Sequence, residues 1–151
     1  MLSKSVLVSV LLLSMVSCTS KKTGYVDIFR LVKEFELQNE YSAQAKKDMD
    51  LEKAMIDSMV YLERLKNPEG FEGLKNELYL ELYKKTEQKN KDIESMIWKR
   101  LNPYLEDYGK EEGYQYIYGA NGTGNVLYAA KEQDITEEVI KYVNKRYHDK
   151  K

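Results

Sequence analysis

No proline or glycine interrupts the chain from Leu37 to Lys66, and within it Leu51, Met55, Met59, Leu62 and Leu65 recur at steps of 4, 4, 3 and 3. That spacing is the helical period and predicts one long helix with an apolar stripe. Some thirty helical residues extend about 45 Å, longer than the core of a small domain buries. Asn67-Pro68-Glu69-Gly70 is a turn signal, and a second apolar series follows from near Phe71: Leu74, Leu78, Leu82, Ile93, Ile97, Leu101. Two long helices joined by a tight turn fold back on one another, so the pattern predicts a helical hairpin. With the fold-back near Glu69, residues whose numbers add to about 138 should face each other. Met59 then meets Tyr79, Met55 meets Tyr83, Tyr41 meets Ile97 and Leu37 meets Leu101.

The middle of the hairpin departs from this pattern. Lys84 to Asp92 contains no apolar residue, and the facing stretch Ala45 to Asp50 is nearly as polar. A continuous core does not tolerate about two and a half polar turns. The hairpin is therefore expected to be an arm projecting into water over residues 37–102, weakly held at its middle, with apolar patches near base and tip. A plain coiled-coil stalk with an incidental polar middle is the alternative.

Either side of the arm the pattern is mixed. Gly24 to Ile28 reads as a short strand, with Asp27 placed to cap a short helix through Ile28, Leu31, Val32 and Phe35. Pro103 lacks an amide hydrogen, so it either kinks the second long helix or begins a new one capped by Asn102. Tyr104, Leu105 and Tyr108 supply the buried face of that stretch, and Gly113 ends it. Tyr114 to Tyr118 alternates like a half-buried strand and Asn125 to Ala129 reads as its partner. Between them lies the glycine-rich segment Gly119 to Gly124, whose Asn121-Gly122 pair predicts a hairpin turn. A closing helix presents Ile135, Val139, Ile140 and Val143 on one side, with Thr136 as cap and acidic residues after it. The fold class is α+β. Residues 24–36 and 103–147 form a small body of strands and short helices, 37–102 the arm, and 148–151 a charged tail.

The first residues follow a different grammar. Lys4 leads into an apolar run of about ten residues and then Val16-Ser17-Cys18, a secretory signal over residues 1–17. A span needs ~20 apolar residues, so the run is too short to remain in a bilayer. The single cysteine of the chain sits at the cleavage point. Val16-Ser17-Cys18 resembles the lipobox of bacterial lipoproteins, which implies cleavage before Cys18, lipid attachment there, and a lipid-anchored tether over 18–23. An ordinary signal peptide with an incidental cysteine is the plainer alternative. With Thr19-Ser20 and lysines following, and no acidic export tag, the expected site is the periplasmic face of the outer membrane.

Removing residues 1–17 leaves 134 of the 151, enough for one modest domain. No cysteine remains beyond the anchor, so no disulfide staples the fold. Charged residues make up 32%, yet the formal net charge is −1, becoming −2 when Lys4 leaves. That balance excludes a surface built for nucleic acid or another polyanion. Tyrosine outnumbers phenylalanine 13 to three, favouring an aromatic that tolerates water.

The order strand, short helix, long hairpin, strand, strand, helix resembles the Skp (OmpH-like) family of periplasmic chaperones. The residues carrying the resemblance are Gly24 to Asp27, Pro103, the junction Glu111-Glu112-Gly113-Tyr114, Val126 to Ala129, Asp134-Ile135-Thr136 and Val139. Their order and spacing cover nearly the whole mature chain, the arms matching only in pattern. The resemblance implies a homotrimer in which three arms enclose a cavity that holds unfolded outer-membrane proteins without ATP. Two departures stand out: the arms are slightly acidic rather than basic, and the chain carries a lipid anchor.

Catalytic chemistry is not expected. The single histidine, His148, lies among charged residues at the end, so neither a metal cluster nor a histidine-based triad can be assembled. The glycines at 119–124 are not followed by the Lys-Ser/Thr and helix of a phosphate loop. No cofactor is implied. Met55, Met59, Tyr79 and Tyr83 are the candidate client contacts, because methionine and tyrosine accept many partners. Leu62, Leu78 and Leu82 are expected to pack the two helices together. Tyr25, Ile117, Val126 and Tyr128 are the candidate trimer contacts, since one strand and one hairpin are marginal alone and leave open edges. A coiled-coil spacer lipoprotein of the envelope and a small ligand-binding lipoprotein are the rival classes.

Overall fold

The computed structural model describes residues 22–150. The signal segment and Cys18 lie outside the described residues. The element order is β1 (Lys22–Asp27), α1 (Ile28–Glu34), α2 (Glu36–Lys66), α3 (Phe71–Glu111), β2 (Tyr114–Ala120), a 3-10 turn at Lys131–Gln133, and α4 (Thr136–Asp149). The α+β class holds: long helices, a closing helix and a small sheet.

Asp27 ends β1 and caps α1, its Oδ1 accepting from the amides of Phe29 at 3.0 Å and Arg30 at 3.1 Å. Phe35 interrupts the helical run in an extended conformation and is fully buried, meeting Tyr147 edge-on with ring centres 5.7 Å apart. Asn144 of α4 bridges this break: its side-chain oxygen accepts from the Glu36 amide at 3.0 Å, and its amide donates to the Glu34 carbonyl at 2.9 Å. The break is thus held by both a plug in the core and a polar clasp. Around Phe35 cluster Val26, Leu31, Leu37, Ile97, Leu101, Tyr104, Val139 and Val143, all buried. Burying one such side chain contributes about 1.5–3 kcal/mol, so this cluster at the root of the arm carries the fold.

Several details differ from the sequence expectations. Strand β1 begins at Lys22, so Lys22 and Thr23 belong to the sheet rather than to a tether. The Lys22 ammonium is pinned there, donating to the Glu112 carbonyl at 2.9 Å and lying 4.0 Å over the Tyr114 ring. Helix α3 runs unbroken through Pro103 to Glu111, and no new helix starts at Asn102. Pro103 and Lys99, whose carbonyl loses its amide partner, both lie on the exposed face, while Leu101, Tyr104 and Tyr108 are buried on the other. Gly113 takes φ +73° just past the end of α3, the left-handed cap its position predicts. Helix α4 extends to Asp149, so His148 is not in a loose tail; its Nε2 lies 2.8 Å from a Glu36 carboxylate oxygen. Thr136 does not cap α4 through its own side chain. Asp134 does the accepting instead, from the Thr136 amide at 3.0 Å and hydroxyl at 2.5 Å.

The sheet departs furthest. It has two strands, β1 and β2, paired parallel from Lys22–Tyr114 to Asp27–Ala120. The expected hairpin of 114–118 with 125–129 does not form, and residues 125–129 make no strand. Side chains of the turn meet its own backbone instead. Asn121 Oδ1 accepts from the Thr123 amide at 3.0 Å, and the Asn125 side-chain amide donates to the Gly119 carbonyl. Such local bonds compete with ladder pairing.

Candidate functional site

The arm exposes one apolar face of α2 in its outer half and holds its middle through charge. Its seam at the base is apolar, with Leu37, Ile93, Ile97 and Leu101 buried and Tyr41 and Ala45 packed against them. Further out the helices meet through charge. Glu52 receives Lys85 at 2.6 Å, Asp48 pairs with Lys89, and Asp57 accepts from the Tyr79 hydroxyl and from Lys53 at 2.8 Å. These partners have numbers adding to 137, 137 and 136, close to the expected fold-back register. Hydrogen bonds from Lys89 and Gln44 hold the Asp48 carboxyl below the usual range, and bonds from Lys53 and Tyr79 do the same for Asp57. The bond to Asp57 pushes the Tyr79 phenol up. Ile56 is the one fully buried apolar side chain of α2 in this stretch, and Val60, Leu74, Leu78 and Leu82 are half-buried.

The reason is helical phase. The seam that α2 presents to α3 runs from Leu37 and Tyr41 through Asp48 and Glu52 to Ile56 and Val60, advancing on average by more than the 3.6 residues of a helical turn, so it drifts around the helix toward the tip. Leu51, Met55, Met59, Leu62 and Leu65 are carried to the outside, all exposed. Leu62 was expected within the hairpin and is not. Ala54, Ser58 and Tyr61 share this outer face, so no charge interrupts it over about 21 Å of helix.

Among the expected client contacts, Met55 is 59% and Met59 46% exposed, and Tyr83 on α3 is 62% exposed. Met55 and Tyr83 thus turn to solvent instead of facing one another. Tyr79 is half-buried and tied to Asp57 rather than to Met59. Leu51, Leu65, Tyr61 and Leu80 are equally exposed; the sequence pattern places Leu51 and Leu65 in the apolar stripe, but none of the four is among the expected client contacts. The signal that could have found them is the absence of charge on that face between 51 and 65.

The body presents a second surface. Tyr128 is 86% and Leu127 92% exposed. With Tyr25, Tyr118 and Val126 they border a groove of about 470 Å³. Tyr25 and Val126 are half-buried, and Ile117 packs on the core from β2. The Tyr25 carbonyl accepts from the Ile135 amide at 3.0 Å, which occupies the outer edge of β1 next to α4. The other edge of β2 carries no strand among the described residues. Also among the described residues, no group of three or more His, Cys, Asp or Glu is placed to hold a metal ion, and no helix is long and apolar enough to cross a membrane.

A family model described as outer membrane protein (OmpH-like) matches residues 22–143, from the first residue of β1 into α4. No curated protein matches the chain.

Proposed function

The chain belongs to the OmpH-like family, which is known for periplasmic chaperones of outer-membrane proteins, and from that premise we propose that it is an ATP-independent holdase for unfolded outer-membrane proteins. The observation that carries this reading is the outer arm, which turns Leu51, Met55, Met59, Leu62 and Leu65 to water while ion pairs share its seam with Ile56 and the half-buried leucines of α3. A helix that exposes a charge-free face of this length either meets a partner or risks aggregation. Methionine and leucine side chains at the rim, with Tyr61 and Tyr83 beside them, offer broad contact without demanding one sequence. Each contact is weak, at about 25 cal/mol per Å² covered, so retention comes from many contacts at once and release needs no nucleotide.

In this reading the working form is a homotrimer closed through Tyr25, Ile117, Val126 and Tyr128, because a two-stranded sheet is marginal alone and β2 offers an open edge. Three arms then surround a shared cavity. Cys18 carries a lipid that places the trimer in the periplasm, at the outer membrane. The arm comprises residues 37–102, and the body residues 24–36 and 103–147 together with Lys22 and Thr23 of β1.

The test is suppression of aggregation of an unfolded β-barrel protein. Changing Met55, Tyr79 and Tyr83 together to serine should lower suppression severalfold, while helix content by circular dichroism and trimer mass by light scattering persist. Unchanged suppression, or a stable monomer at micromolar concentration in the parent protein, would overturn the reading.

A further inference from the structure

Helix α2 carries two alternative seams one residue apart. Continued from Leu37 and Tyr41 at the coiled-coil repeat of alternating 4 and 3, the sequence reaches positions 44, 48, 51, 55, 58, 62 and 65. The last five are Leu51, Met55, Ser58, Leu62 and Leu65, apolar but for Ser58, whose hydroxyl donates to the Ala54 carbonyl. The observed seam instead runs from Leu37 and Tyr41 through Ala45, Asp48, Glu52, Ile56, Val60 and Glu63, a mixed set in which Asp48 and Glu52 pair with lysines of α3 and Ile56 is buried. Its steps average more than 3.6 residues, where the alternative averages 3.5, so the two differ by a change in winding of a few degrees per residue.

The facing helix suits both. Leu74, Leu78 and Leu82 of α3 are already half-buried at the seam and lie level with Leu62, Met59 and Met55 at the observed register. Turning the outer part of α2 by about one residue, near 100°, lays its apolar face on these leucines. The same turn takes Glu52 away from Lys85, while Asp48, common to both seams, keeps Lys89. There is slack for it where the twist must be absorbed. A cavity of about 250 Å³ lies between the helices, bordered by Ala45, Met49 and Glu52 on one side and by Lys85, Thr86 and Lys89 on the other.

We infer that the outer arm is a two-state device: a mixed, ion-paired seam displays the apolar face, and an apolar seam withdraws it. This rests on the proposal that the face holds clients, and supplies its regulation. Exposed ion pairs are weak and are screened as the Debye length falls from about 30 Å at 0.01 M salt to about 3 Å at 1 M. Apolar burial is not screened in this way. Salt therefore moves the arm toward withdrawal, and a covered face moves it toward display.

Methionine oxidation by dilute peroxide, read by peptide mass on the intact protein without any client, tests this directly. Met55 lies on the face that withdraws, and Met96, 42% exposed near the arm base, is the internal reference. The Met55 rate relative to Met96 should fall about threefold between about 0.01 M and 1 M sodium chloride. A relative rate that does not change with salt overturns the inference. Lys85→Glu should give the protected pattern at low salt already. Adding Glu52→Lys should restore oxidation. Protection that persists after this full exchange also overturns it, as a sign of general collapse of the arm. Client suppression measured on the same variants separates the two readings. Protection of Met55 with suppression unchanged retains the switch and removes the face as the holding surface. A Met55 rate indifferent to salt, with suppression lost in the triple serine variant, does the reverse.

Discussion

Thr136 joins the two ends of the fold through one hydroxyl, and Thr136→Val removes only that. The side chain is 1% exposed. Its oxygen accepts from the Asp27 amide at 2.9 Å, at the end of β1, and donates to Asp134 at 2.5 Å, ahead of α4. Valine keeps the volume and leaves the Asp27 amide without a partner, which costs about 1–3 kcal/mol. Asp134 loses one charge-assisted bond but keeps the Thr136 amide and is open to water, so that loss is set at about 1 kcal/mol or less. The added apolar burial returns up to about 1 kcal/mol. The net expectation is about 2 kcal/mol, or a fall in Tm of roughly 6–10 °C for a domain of this size. Thermal unfolding by circular dichroism measures it, at one fixed protein concentration because assembly shifts apparent stability. Thr136→Ser retains the hydroxyl and should lose no more than about 1 kcal/mol. A valine variant within about 0.5 kcal/mol of the parent, or a serine variant as damaged as the valine one, would refute the reasoning. The pH dependence gives a second reading. Burial raises the Asp134 carboxyl, but the hydroxyl and amide of Thr136 and the Tyr25 phenol outweigh it and hold the group below its ordinary value. A depressed carboxyl stabilises above its unfolded pKa of about 3.9 and loses that contribution as pH falls through the lower folded value. The gap between parent and valine variant should therefore narrow below about pH 4.

Three further predictions concern Gly24, Gly73 and Cys18. A β-carbon at Gly24 would lie 2.9 Å from Ile135 Cδ1 and 3.0 Å from Tyr114 Cε1, so Gly24→Ala should cost about 1–3 kcal/mol by urea midpoint. At Gly73, where a β-carbon meets nothing within 4 Å, alanine should instead stabilise α3 by about 0.5–1 kcal/mol; equal effects at the two sites would contradict the packing described. Cys18→Ser should abolish lipid processing and release the protein into the soluble fraction, and retention of normal processing with detergent-dependent extraction would count against the anchor.

Local pattern carried most of the architecture. The run without proline or glycine, the turn at Asn67 to Gly70 and the period of the apolar residues determined two helices, their antiparallel return and their register to within two residues, because each rests on contacts a few positions apart. Asp27 and Gly113 were legible for the same reason: a cap acts on its own turn. Three features were decided only by the tertiary structure. Pairing of β1 with β2 joins segments some ninety residues apart, and no local signal marks a parallel partner. Pro103 stays within a helix because Leu101, Tyr104 and Tyr108 are buried on the opposite face, outweighing the lost bond. The outer stripe of α2 shows the limit most clearly. Its period announced a helix with an apolar face, but the direction of that face depends on how α2 and α3 wind past each other: Met55 stands five turns from Leu37 and in line with it on a straight helix, and it is exposed because the seam drifts around α2 between them.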